Sequence, residues 1–444
     1  MFRAIVTSVV LWASAGPANA QCSSTWTWRT LLGGSNLSPA GVHPFHLWSF
    51  AASPSTNRVE ALDCEGGARP GAYGPPTLGD GVENYPMVVR LSSGAWRVFV
   101  ASRDGRLYAL DADTGAIVWV RDLRRSTCPS DTLTAAPAIV LRSLCASYPG
   151  CAMPPGASGP DTDVVVIGTR FGCGMRGSET SANVVVALRA DIGAPVWAFN
   201  VPRTDNVDYV ASGPSLDYAR GRLYAGTGRR VPTDASLFAI NFATGVKVWS
   251  RNVGRIETTP MLSPNSTLSP RIYVAALDGT IRAVHPDTGA DVWSPATVSV
   301  GSAVSVNLAH FGRSATLGTR IFAVAPGAGT VSSIRDNGTS ATLLWTLTPA
   351  ASFGGALAKS APALYENAAA SVYALYVGMS NGTLRQIRPA QSTTAAGLSM
   401  ISRVVDPGGS IVGDAVVDNS SAFDSPRLLV GDNAGFLSRW CVPW

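Results

Sequence analysis

From residue 98 the chain alternates apolar and polar positions in short runs broken by paired turn residues. Val98 to Val120 reads VFVASRDGRLYALDADTGAIVWV: an alternating strand, an Asp104-Gly105 turn, a second strand, an Asp113-Thr114-Gly115 turn, and a third strand carrying Trp119. A period of two lets one face of each strand pack while the other meets solvent or a neighbouring sheet. Glycine-bearing tight turns join antiparallel neighbours. The segment therefore predicts three linked antiparallel strands.

The pattern returns along the chain. Asn183 to Phe199 (NVVVALRADIGAPVWAF), Ser236 to Ser250 (SLFAINFATGVKVWS) and Arg271 to Ser294 (RIYVAALDGTIRAVHPDTGADVWS) repeat it. Ile321 to Trp345 is looser, Tyr373 to Ile387 lacks the tryptophan, and Leu428 to Trp440 is cut short, which makes seven copies. Each is preceded by another short apolar run, often opened by proline, as at Pro86, Pro137, Pro214, Pro260 and Pro362. Proline is tolerated where a strand begins or borders a sheet edge, which suits the innermost strand around a channel. Repetition of a four-stranded unit predicts an all-β fold: a single β-propeller of seven four-stranded antiparallel blades, with eight as the alternative.

The seventh copy ends at its third strand, so an N-terminal strand is expected to close the ring. Leu47-Trp48-Ser49-Phe50 resembles Val196-Trp197-Ala198-Phe199 and is the expected closing strand, with Trp26 to Leu32 outside it or in an eighth sheet. Cys22 and Cys441 would then lie at one seam and form a disulfide.

Met1-Phe2-Arg3, an apolar run to Ala15 and Ala18-Asn19-Ala20 read as a signal peptide over residues 1–20. An N-terminal extension over 21–44 and the propeller over 45–444 follow. The expected product is secreted or extracytoplasmic, periplasmic in a bacterium, and monomeric, with no transmembrane segment. An apolar fraction of 46% against 14% charged residues suits a rigid globular chain. The net charge of +5 comes from scattered arginines, only Lys247 and Lys359 being lysines, so no basic cluster marks a nucleic-acid partner. Of the seven cysteines, Cys145 and Cys151 are expected to staple a Pro- and Gly-rich loop, and Cys128 to pair with Cys173 or Cys64.

The units resemble the quinoprotein (PQQ-like) β-propeller repeat. Asp104-Gly105, Leu107-Tyr108-Ala109-Leu110-Asp111, Thr114-Gly115 and Trp119 carry the likeness, followed by Asp278-Gly279, Thr288-Gly289 and Trp293. It covers roughly residues 45 to 441. The resemblance implies that Trp119, Trp197, Trp249, Trp293 and Trp345 wedge between neighbouring sheets, and Trp48 is assigned the same structural role. The family holds quinone-dependent alcohol and polymer dehydrogenases as well as non-catalytic members similar to the outer-membrane assembly lipoprotein.

Two functions from different classes follow. The first is a non-catalytic scaffold binding a protein, peptide or glycan on a channel face, with no cofactor. The second is a PQQ-dependent oxidoreductase, which the resemblance ties to calcium on several oxygen ligands and to adjacent cysteines beside the quinone. The chain has no Cys-Cys pair, and no compact catalytic constellation emerges, which favours the scaffold. The histidines offer no metal spacing, since His43 and His46 lack a third ligand nearby in sequence. Polar residues flanking the inner strands, Glu83, Asn84, Asp208, Arg255, Glu257, Lys359 and Asp414, are the candidates for a ligand site at one channel mouth.

Overall fold

A computed structural model of the 444-residue chain describes residues 28–32, 38–43, 48–63, 66–67, 73–125, 128, 130–157, 159, 162–170, 183–200, 205–228, 231–263, 268–311, 319–367, 372–388, 390, 392–405, 410–411, 415–418, 427–434 and 436–441. Among these, seven four-stranded antiparallel blades make an all-β propeller. Blade 1 runs from strand Met87–Arg90 to Ile117–Asp122, and blade 2 from Ala138–Val140 to Pro195–Phe199. Blade 3 runs from Ser215–Asp217 to Lys247–Arg251, and blade 4 from Met261–Ser263 to Val298–Ser299. Blade 5 runs from Ala309–Phe311 to Ala341–Leu347, and blade 6 from Ala363–Asn367 to Ser399–Val404. Blade 7 is Val416–Asp418, Arg427–Gly431 and Phe436–Cys441, with Trp28–Leu31 as its fourth strand. A three-stranded sheet of Ser38–His43, Trp48–Ala52 and Val59–Leu62 stands between blades 7 and 1, its first strand approaching the first strands of both.

The first strands of blades 1, 2, 3, 4 and 6 each begin directly after a proline, where the missing N–H costs no ladder bond. Second strands such as Val164–Gly168, Arg271–Ala275 and Thr319–Ala325 are buried at every position, whereas Ile117–Asp122 at the rim is exposed almost throughout. The core therefore lies between blade faces. In blade 5, Ile321 and Ala323 pack toward blade 4, while Phe322 and Val324 pack toward blade 6.

Tryptophan sets the spacing at three successive seams. The indole N–H of Trp119 donates to the Ala190 carbonyl at 3.0 Å, that of Trp197 to Phe242 at 2.8 Å and that of Trp249 to Pro286 at 2.9 Å, each in the next blade. The rings lie over the turn glycines Gly193, Gly245 and Gly289, where an added Cβ would come within 2.7 Å of the indole. Only glycine fits both that approach and the positive φ of 68–69°. Trp345 bonds in the same way to the Ser392 carbonyl of blade 6 at 3.0 Å.

The N-terminal segments sit differently from the expected arrangement. Trp48–Ala52 is the middle strand of the three-stranded sheet, and it is Trp28–Leu31 that pairs with the last strand, in register Trp28↔Arg439 to Leu31↔Phe436. Trp28–Leu31 and Ser38–His43, both within the N-terminal extension read from the sequence, thus supply strands to two sheets. The physical reason is visible in burial. Every residue of Trp48–Ala52 is buried, as befits a charge-free central strand, while outer strands such as Ile117–Asp122 and Lys247–Arg251 carry charge toward solvent. Trp48 packs edge-on against Tyr73, and Tyr73 with Gly74 meets Thr114-Gly115 of blade 1 in place of a tryptophan.

Cys145 and Cys151 are bonded, with Cα atoms 5.3 Å apart, and staple the loop after the short helix Arg142–Cys145. Cys128 is also disulfide-bonded. Its candidate partners Cys64 and Cys173, the expected Cys22–Cys441 pairing and the expected signal peptide fall outside the described residues, Cys441 being placed by its backbone alone. Among the described residues no helix is long and apolar enough to cross a membrane.

Candidate functional site

One ring of backbone bonds organises a single mouth of the propeller. Just before its first strand, each of several blades buries an apolar residue whose N–H reaches the preceding sheet. Val82 donates to Ser53 O at 2.8 Å, Val210 to Thr169 O at 3.1 Å, Ile256 to Thr227 O at 3.1 Å and Ile411 to Met379 O at 3.1 Å. Leu133 and Ala358 repeat the bond to Ser102 and Gly329. Glu83, Glu257 and Lys359 each directly follow one of these anchors, so the fold puts them at equivalent stations around the ring.

The anchored stations differ in what they offer. Glu83 is exposed and pairs with Arg103 at 3.5 Å. Asn84 donates to Thr134 O at 3.2 Å and accepts the Tyr85 N–H at 2.9 Å, and so locks the loop. Lys359 donates to the Pro326 carbonyl at 2.9 Å, reaching back to blade 5. Asp414 lies outside the described residues.

Asp208, Arg255 and Glu257 do converge, around a residue that the sequence pattern did not single out. The Tyr209 hydroxyl donates to Glu257 Oε1 at 2.5 Å and accepts from Arg255 Nε at 2.9 Å and Nη2 at 2.6 Å. The Arg170 and Arg255 guanidinium carbons lie 4.9 Å and 5.4 Å from the centre of its ring, within cation–π range. Asp208 accepts the Tyr209 N–H at 2.8 Å. Burial, then the hydrogen bond to Glu257, pushes the Tyr209 phenol up to about 12. It remains a neutral donor at physiological pH and is no general base. Arg255 keeps half of its side-chain surface exposed, so this cluster presents positive charge beside an aromatic face to solvent.

The buried hydroxyls of Thr134 and Ser212 have no hydrogen-bond partner among the described residues. A separate polar cleft of about 560 Å³ lies where the three-stranded sheet meets blade 1, lined by Asn57, Arg58, Glu60 and Asp80 among others. No periodic signal in the sequence marks it, because it forms between a loop and a distant turn.

The calcium ion implied by the dehydrogenase reading finds no carboxylate cluster to hold it among the described residues. Among the described residues no group of three or more His, Cys, Asp or Glu side chains converges. A calcium site draws six to eight oxygens together. Glu257 Oε1 is already engaged by Tyr209 and Arg255.

Comparison with known proteins gives a consistent picture. The profile of the family described as outer membrane protein assembly factor BamB matches residues 53–143 and 156–384. Among solved structures, BamB from Moraxella catarrhalis is similar at 18% identity and a TM-score of 0.58, covering 93% of this chain and 98% of that one. Quinohemoprotein alcohol dehydrogenase from Comamonas testosteroni is similar at 14% identity and a TM-score of 0.60, covering 94% of this chain and 76% of that one. A europium-containing methanol dehydrogenase reaches 14% identity and a TM-score of 0.59, covering 90% of this chain and 84% of that one. Likeness at such identities is likeness of fold. No curated protein sequence matches the chain.

Proposed function

The chain belongs to the family of the outer membrane protein assembly factor BamB, and from that premise we propose that it is a non-catalytic extracytoplasmic scaffold that binds a protein or peptide segment at the channel mouth. The observation that carries this reading is the Tyr209 cluster. Two arginines over one aromatic ring, with Glu257 holding the phenol in place, form a rigid platform suited to an acidic or aromatic side chain. A glycan, whose hydroxyls and apolar sugar faces suit the same surface, is the alternative occupant.

The test has two arms. A peptide array probed with the purified mature chain should yield acidic or aromatic binders whose affinity falls at least roughly tenfold on Arg255→Ala or Tyr209→Ala. Binders indifferent to both substitutions would place recognition elsewhere. Incubation with PQQ and calcium, followed by assay of dye reduction with alcohols, should give nothing above background. Cofactor-dependent turnover would replace the scaffold reading with that of an oxidoreductase.

A further inference from the structure

The second strand of several blades carries an arginine at its first or second position, and the partners of these arginines differ. In blade 1, Arg97 stands directly across the ladder from Asp111 and is bridged to it at 3.0 Å. In blade 3, Arg222 faces Asn241 and takes its carboxylate from Asp287 of blade 4 at 3.2 Å. In blade 4, Arg271 reaches Asp336 of blade 5 at 2.9 Å, with both side chains almost fully buried.

Blade 5 breaks the rule. Arg320 holds the same position, yet the residue directly across the ladder is Arg335. Arg320 is only 2% exposed, and its Nε and Nη1 are buried with no hydrogen-bond partner among the described residues. Blade 5 offers Asp336 back to blade 4, whereas the sequence that follows strand Thr383–Arg388 of blade 6 reads Pro-Ala-Gln, with no carboxylate. Like charges directly opposite one another in a ladder destabilise a sheet, and a buried, uncompensated charge is costlier still. Burial and the neighbouring Arg335 lower the Arg320 pKa to about 10, which leaves it charged at neutral pH.

We propose that Arg320 and Arg335 form a binding site for a small oxyanion of the phosphate or sulfate type, set between blades 5 and 6. Paired guanidinium forks match the oxygens of such an ion, and a bound oxyanion supplies the counter-charge that Asp111, Asp287 and Asp336 supply elsewhere. Phe311 and Phe322 share the Arg320 face of the blade and pack toward blade 6, and Phe311 stacks on Tyr373 at 5.2 Å, giving the site apolar walls that strengthen the charge interaction. Arg335 is only partly buried, so the ion enters from its side.

The test is thermal unfolding of the full mature chain in sodium phosphate and in sodium sulfate against sodium chloride at equal ionic strength. The wild type should melt at least roughly 2 °C higher in one of the oxyanions, because ligands that bind only the native state stabilise it. Arg335→Asp rebuilds the Arg97–Asp111 arrangement of blade 1 inside blade 5. It should melt above the wild type in chloride and lose the oxyanion response. Arg335→Gln, at a partly exposed position, should keep the fold and weaken the response. Equal melting of the wild type in all three salts would overturn the proposal, as would an Arg335→Asp variant that keeps the full response.

Discussion

The seam between blades 2 and 3 and the seam between blades 4 and 5 solve one packing problem by different chemistry. At the first, Trp197 lies on Gly245 and donates its indole N–H to the Phe242 carbonyl. At the second, Trp293 is 3% exposed, but its indole nitrogen is buried with no hydrogen-bond partner among the described residues. There the lock is charged: Arg271 and the Tyr273 hydroxyl both bond Asp336, the latter at 2.7 Å. An aromatic lock depends on shape, whereas a buried ionic lock depends on every partner being present. The two should fail differently.

The largest effect is expected from Asp336→Ala, which leaves Arg271 buried and unpaired. It should cost about 3–5 kcal/mol in urea unfolding, and a loss below about 1 kcal/mol would show that the ionic lock carries little of this seam. Next comes pH. His310 lies at the same seam, bonded to Ser263 at 3.0 Å and beside the Tyr273 ring, and burial lowers its pKa from 6.5 to about 4. Between those values the unfolded chain takes up a proton that the folded chain refuses. Stability is therefore full above pH 6.5 and falls as pH drops toward 4, by roughly 3 kcal/mol. His310→Gln should flatten that slope, and hydrogen exchange at low pH should quicken at blades 4 and 5 before blades 2 and 3.

Smaller effects test the aromatic seam. Gly245→Ala adds a Cβ 2.7 Å from the Trp197 ring at a φ of 68° and should cost about 2 kcal/mol. Trp197→Phe keeps a ring but removes the donor to Phe242 O, for about 1 kcal/mol. Denaturant midpoints would rank the pair, and a Trp197→Phe loss exceeding that of Gly245→Ala would mean that hydrogen bonding, not shape, dominates this seam.

Legibility in the sequence followed the range of the interactions. The strand quartets, their turns and the proline-led inner strands were readable because each is set within a few residues. Arg255, Glu257 and Asp208 were readable as neighbours of inner strands because each lies a few residues before one in sequence. Tyr209 and Arg170 were not, since Arg170 lies two residues past strand Val164–Gly168 of blade 2 and reaches Tyr209 only once blades 2 and 3 are side by side. Trp48–Ala52 was misplaced although its lack of charge fits a central strand better than a rim.

The amino-acid order by itself determined the repeating unit: alternation sets the strands, Asp-Gly and Thr-Gly set the turns, and the tryptophans recur at one station in the outer strand. Only the tertiary structure decided which N-terminal strand joins Phe436–Cys441, and which charges meet across a seam or within a ladder. Arg271 finds Asp336 while Arg320 faces Arg335. The physical reason is that such contacts join residues from different sheets or strands. Their pairing depends on how neighbouring sheets pack and on ladder register, and one slip of register would turn each of these side chains to the opposite face.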